Sequence, residues 1–262
     1  MTLLSMINPA YSLSGFVVGV LVGLTGVGGG SLMTPILVLL FHFHPAAAVG
    51  TDLLYASITK TAGTAVHGMG GRVDWRIVGR LAFGSVPASI LTILAMRVAG
   101  LTTEGGSALL SFLLGIALML TALTLIFRHW IVGFAARHLR EPAPAQTLWM
   151  TVAMGAILGV LVSISSVGAG AIGVTALILL YPKLPMARIV GSDLAHAIPL
   201  TLVGGIGHWF LGSIDWHLLG SLLVGSIPGV LIGSYVSGRV PDWFLRPILA
   251  AVLLLAGGRL VL

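Results

Sequence analysis

The stretch 23-GLTGVGGGSL-32 holds five glycines in ten positions, between "YSLSGFVVGVLV" (11–22) and "MTPILVLLF" (33–41). In a soluble protein a glycine-rich loop leading into a helix suggests a phosphate cradle. These flanks resemble lipid or protein interior instead. Backbone N–H and C=O groups exposed there need partners that lipid cannot supply. What surrounds the glycines therefore decides the fold.

Of the 262 residues, 57% are hydrophobic and 8% charged, with a mean hydropathy of +1.10. Soluble domains carry about 25% charged residues, so this chain cannot cover a water-facing surface of its own size. The apolar runs are of helical length and lack the alternation of a barrel strand. The composition predicts an all-α integral membrane protein. Net charge is +6, which in such a chain reports topology through the cytoplasmic excess of Lys and Arg and calls for no nucleic acid. Cysteine is absent, excluding disulfides and thiol chemistry. "MTLLSMINPAYSLSG" (1–15) carries no Lys or Arg, so it lacks the positive region of a signal peptide and the mature chain is expected to begin here.

The chain repeats itself. A shift of 140 places "GVLVGLTGVGGGS" (19–31) over "GVLVSISSVGAGA" (159–171). A shift of 141 places "VGTDLLYA" (49–56) over "VGSDLAHA" (190–197), and His67 over His208. It also places "VDW" (73–75) over "IDW" (214–216) and "GSVPASIL" (84–91) over "GSIPGVLI" (225–232). Two transmembrane repeats are expected at 11–127 and 148–262, joined by a polar cytoplasmic linker at 128–147. Each divides into five helical elements, roughly 11–25, 31–41, 46–67, 76–97 and 106–127, then 148–164, 171–181, 187–208, 216–237 and 243–261. A span needs about 20 apolar residues. The first two elements of each repeat fall short, as a re-entrant hairpin or as two tilted short spans. Lys and Arg cluster around equivalent loops in opposite senses: Arg72 and Arg76 follow the third element of repeat one, whereas Lys183 and Arg188 precede that of repeat two. The repeats are therefore expected to be inverted, with Gly-broken helices meeting near the midplane. Secondary transporters use this architecture.

The glycine-rich "GLTGVGGGS", the following P-x-x-x-V-G-T-D and their weaker copies "SSVGAGAIG" and "ARIVGSD" resemble the TauE/SafE family of sulfite exporters and toluene sulfonate uptake permeases. The resemblance covers 15–127 and 155–261. It implies a multi-pass carrier of the bacterial inner membrane for sulfite, thiosulfate or small organosulfonates. In the second copy Ala169 and Ala171 replace Gly29 and Ser31, so the two halves are not chemically equal.

Candidate site residues follow from the breaks. Helix N-termini near Gly30–Ser31 and Gly170–Ala171 offer free N–H groups and a positive dipole end, which suit an oxyanion. The substrate-binding set is Thr25, Gly28, Gly29, Gly30, Ser31, Thr51, Lys60, Ser165, Ser166, Gly168, Gly170 and Ser192. Gly15, Gly19 and Gly23, four apart, suit close helix packing instead. Asp52 and Asp193 read either as helix N-caps or as intramembrane carboxylates that handle a coupling proton or sodium ion. Lys60 needs a partner, for which Asp52 is the candidate, or else attracts the anion. His67 and His208 are helix-end caps or proton carriers. Pro87 and Pro228 favour kinks that suit hinges or static packing. Asp74-Trp75 and Asp215-Trp216 read as helix-starting interface anchors.

The expected partners are a small anion, a coupling proton or sodium ion and the bilayer, with a homodimer left open; no metal and no cofactor is called for. A carrier working by alternating access is the first reading, and an anion channel or a carrier of another small anion such as a carboxylate is the alternative. An intramembrane enzyme finds no support: HExxH and cysteine are absent.

Overall fold

The computed structural model describes residues 7–25, 32–67, 73–138, 143–236 and 242–262. Within them lie ten α-helices and no strand. Helices α1 (Pro9–Thr25), α2 (Met33–Leu39), α3 (Pro45–His67), α4 (Trp75–Val98) and α5 (Ser107–His138) belong to the first repeat. Helices α6 (Pro144–Ser165), α7 (Ala171–Leu180), α8 (Met186–Phe210), α9 (Trp216–Val236) and α10 (Asp242–Val261) belong to the second.

Among the described residues, five helices are long and apolar enough to cross a membrane: α4, α5, α6, α8 and α9. Large side chains such as Phe83, Leu91 and Leu255 point outward from the bundle, as expected of a lipid-facing surface. Two expectations change. The first element of repeat two is no short piece: α6 starts at Pro144 and runs for 22 residues, because "APAQTLW" adds a proline-led first turn. The stretch read as a linker is also largely helical, since α5 continues to His138 before α6 begins. By contrast α2 and α7, of 7 and 10 residues, rise only about 1.5 Å per residue and cannot cross.

Packing follows the repeat. α1 lies on α9 and its counterpart α6 on α4; α3 lies on α8, and α5 on α10. Exchange of the two repeats maps each of these pairs onto another or onto itself. Lipid tails are as apolar as leucine, so close backbone approach rather than apolar burial holds such helices together. Gly15, Gly19 and Gly23 of α1 sit against the carbonyls of Leu222, Ser226 and Val230, while Gly225, Gly229 and Gly233 of α9 sit against Ser12, Phe16 and Val20. The α4–α6 pair repeats the device with Gly84 against Val152, and with Gly155 and Gly159 against Leu81 and Ser85.

The glycine of each Gly-Ser-x-Pro motif is thus a crossing point. Pro87 and Pro228 lie inside α4 and α9, on their exposed sides, where a missing N–H disturbs no contact between helices.

Candidate transport site

Each third helix carries its carboxylate two turns in, not at its start. Asp52 is 0% exposed and Asp193 2%, so neither caps its own helix. Asp52 caps a different one: its Oδ2 accepts the backbone N–H of Thr34 at 3.1 Å and the Thr34 hydroxyl, in the first turn of α2. That short helix thereby gains an acceptor for the free N–H groups of its first turn. The Ser166 hydroxyl faces the same carboxylate without a hydrogen bond of ordinary geometry. In repeat two, Val174 occupies the position equivalent to Thr34 and offers no hydroxyl. There Asp193 Oδ1 abuts Gly173 of α7 and has no hydrogen-bond partner among the described residues.

Lys60 is 5% exposed and lies within electrostatic reach of both carboxylates, with Asp193 exerting the larger pull. The carboxylate of the other repeat therefore acts on Lys60 more strongly than the Asp52 expected from its own helix. Arg128 of α5 also acts on Asp193. Charges inside a membrane are costly and persist when paired. The equivalent of Lys60 is Thr201, so the cation is contributed by one repeat alone.

Of the glycine breaks, 26–31 lies outside the described residues, so Gly28, Gly29, Gly30 and Ser31 are not placed, nor is the side chain of Thr25, where α1 ends. The second break is placed. Ser165 closes α6, donating to the Leu161 carbonyl at 2.7 Å and accepting from Val167 N at 3.2 Å. Ser166 is left-handed at φ 57°, and Gly168 has φ 110°, a value that only glycine adopts without strain. Gly170 precedes the first turn of α7. The Gly168 carbonyl accepts from Ile172 and Gly173.

Thr51 and Ser192, expected beside the substrate, are wholly buried and bind the opposite repeat. Thr51 Oγ1 accepts from Asp215 N at 3.1 Å, and Ser192 Oγ accepts from Asp74 N at 2.8 Å. Asp74 and Asp215 in turn start α4 and α9 through bonds to Arg76 N and Leu218 N. Each carboxylate's hydroxyl neighbour thus pins the loop where the other repeat's fourth helix begins. His208 is 0% exposed, with Nε2 2.9 Å from the Ser163 carbonyl. The side chain of His67 lies outside the described residues.

The sequence reading missed several partners. Tyr55 and His196 occupy equivalent positions, as do Ser85 and Ser226. His196 Nε2 is 2.8 Å from Ser85 Oγ, and Ser226 faces the Tyr55 hydroxyl. Ser89 and Ser163 hydroxyls are 2.7 Å apart. The signal lay in the aligned repeats, where "LLYA" over "LAHA" sets one polar side chain over another within apolar sequence.

Ten described helices, five of them long and apolar enough to cross and packed around buried carboxylates and a buried lysine, define a multi-pass membrane protein. The chain belongs to the Sulfite exporter TauE/SafE family, which it matches over residues 11–260, and it is a membrane transporter. It is 37% identical over 250 residues to "Probable membrane transporter protein YjnA" of Bacillus subtilis (strain 168), covering 95% of this chain and 98% of that one. It is 28% identical to "Probable membrane transporter protein YdhB" of the same organism, covering 92% and 97%. With "Probable membrane transporter protein MJ0441" of Methanocaldococcus jannaschii it shares 26% identity, over 81% and 76% of the two chains. No solved structure matches.

Proposed function

We propose that the protein is a secondary carrier of small sulfur oxyanions (sulfite, thiosulfate or a short organosulfonate) coupled to a proton or sodium ion. The observation that carries this reading is the buried Asp52–Lys60–Asp193 group beside the break at 165–170. The anion binds where the broken helices start, held by backbone N–H groups of both breaks and drawn by Lys60. As the anion engages Lys60, the carboxylates lose their counter-charge and take up the coupling cation. The two repeats lie inverted in the bilayer and rock against one another, with the ends carrying Arg128 and Lys183 facing the cytoplasm.

The test is counterflow in proteoliposomes loaded with unlabelled sulfite or thiosulfate. Saturable, accelerated uptake of 35S-labelled anion in wild type, lost in K60M, is expected. Flux that rises linearly with concentration instead indicates a channel, and absence of flux for every sulfur oxyanion would discard the cargo.

A further inference from the structure

A groove of about 410 Å³ runs between α4 and α8, one helix from each repeat. Its deep side is Ile93, which is 8% exposed, against Gly207, where a Cβ would stand 2.8 Å from Ile93 Cγ1. The glycine thus lets the two helices meet at that point. Leu94 and Phe210 line the groove and are exposed, so it opens outward to the bilayer.

One end of the groove is charged. Arg97 lines it a single residue before α4 ends, and every other lining residue among those described is apolar. Among the described residues no hydrogen bond or ion pair holds the Arg97 guanidinium. From Ile90 to Arg97 the groove follows α4 for two turns, a rise of about 10 Å. One leaflet of hydrocarbon is about 15 Å deep, so a guanidinium at the helix end stands at headgroup level with the apolar groove beneath it. Trp209 marks the same level: it is exposed and meets Trp216 edge to face at 5.6 Å, and indole rings gather at the membrane–water interface.

Arg97 is out of place as a topological charge. Arg76 and Arg80 stand at the opposite end of α4, and Lys183 and Arg188 at the opposite end of α8. The excess of positive charge that sets orientation therefore lies at the far side of the membrane, and Arg97 needs another account.

Shape and charge together choose the occupant. A hydrated oxyanion finds no polar wall along the groove. An acyl chain suits its apolar length, and a phosphodiester suits the guanidinium, whose paired N–H donors match two phosphate oxygens. A headgroup with its own ammonium would set a like charge beside Arg97, so an uncharged headgroup fits better. Basic pockets between transmembrane helices recognise anionic lipids in this way. We infer that the groove is a binding site for a phospholipid of net negative charge, with one acyl chain between α4 and α8 and its phosphodiester on Arg97. Seated there, the lipid touches both repeats and bridges the seam between them, whatever the cargo.

The test is native mass spectrometry of the full chain in detergent, titrated with phosphatidylglycerol or phosphatidylcholine of identical acyl chains. Wild type is expected to hold its first phosphatidylglycerol about fivefold more tightly, the contribution of one basic residue at an anionic headgroup. R97Q, a change at an exposed helix end, should bring phosphatidylglycerol down to the phosphatidylcholine value. V203F fills the groove and should weaken both lipids. A phosphatidylglycerol carrying a diazirine at mid-chain should crosslink within 90–97 or 203–211. Equal affinity of wild type for the two lipids overturns the inference, as does a preference that survives R97Q or crosslinking only elsewhere. A lipid-free dimer that V203F turns into monomer also overturns it, by giving the groove to a second copy of the chain.

Discussion

Asp52 of α3 holds the first turn of α2: its Oδ2 accepts both the N–H and the hydroxyl of Thr34. A helix of 7 residues has little stability of its own, since isolated helices under about 12 residues are marginal even in water. Its position therefore depends on this carboxylate. T34V keeps the shape and removes the hydroxyl, leaving the carboxylate one donor in place of two. A hydrogen bond to a charged group contributes roughly 1.5–3 kcal/mol, and a loss of that order is expected in unfolding of the detergent-solubilised protein. Unaltered stability in T34V would mean that the hydroxyl is dispensable and that the amide alone positions α2.

The two cross-repeat bonds, Thr51 to Asp215 N and Ser192 to Asp74 N, predict paired behaviour. T51V and S192A each leave a backbone N–H without its acceptor, at a cost of about 1–3 kcal/mol. As the pairs are equivalent under exchange of the repeats and share no partner, their effects should add in the double variant. A thermal-unfolding series of the two single variants and the double checks this. An effect at one site only would show that the repeats are unequal here too.

Glycine positions make a sharper contrast. Gly220 and Gly225 lie on the same helix, yet a Cβ at Gly220 meets nothing within 4 Å, whereas one at Gly225 collides with the Ser12 carbonyl. G220A should be neutral or slightly stabilising, because alanine favours helix by about 1 kcal/mol. G225A must push α1 and α9 apart and should cost clearly more, within the 1–3 kcal/mol of an overpacked site or above it. G168A strains the backbone at φ 110°, at a cost of order 1–3 kcal/mol. Melting curves of the three variants, in the order G220A, then G168A and G225A well below it, are the expected outcome.

What the sequence made legible was whatever repeats or is read by composition. The membrane class, the two-fold pattern and the α1 glycine face needed only hydropathy and spacing. The site was legible in its residue types and not in its pairings. Thr51 and Ser192 stood out as hydroxyls beside carboxylates, but their partners, Asp215 and Asp74, are more than a hundred residues away in the chain. Asp52 resembled an N-cap because Asp is a capping residue and lies near the start of its element, while the helix that it does cap, α2, is eighteen residues away in the chain. His196 was hidden because a lone histidine in apolar sequence resembles a core residue until α4 brings Ser85 against it.

Lys60 gives the last prediction. In K60M the buried carboxylates lose the cation that both repeats share, and an uncompensated buried charge costs about 3–5 kcal/mol. Asp193 exerts the larger pull on Lys60, while Asp52 keeps its Thr34 donors whatever Lys60 does. The stability lost in K60M should therefore return in K60M/D193N and return less in K60M/D52N, which also releases α2. Anion counterflow should stay absent in both double variants, since neither restores a positive charge for the substrate. Unfolding and counterflow measured on the same preparations separate the two roles. Greater recovery with D52N would assign Lys60 to its own helix and leave Asp193 to Arg128, whose guanidinium acts on it from α5.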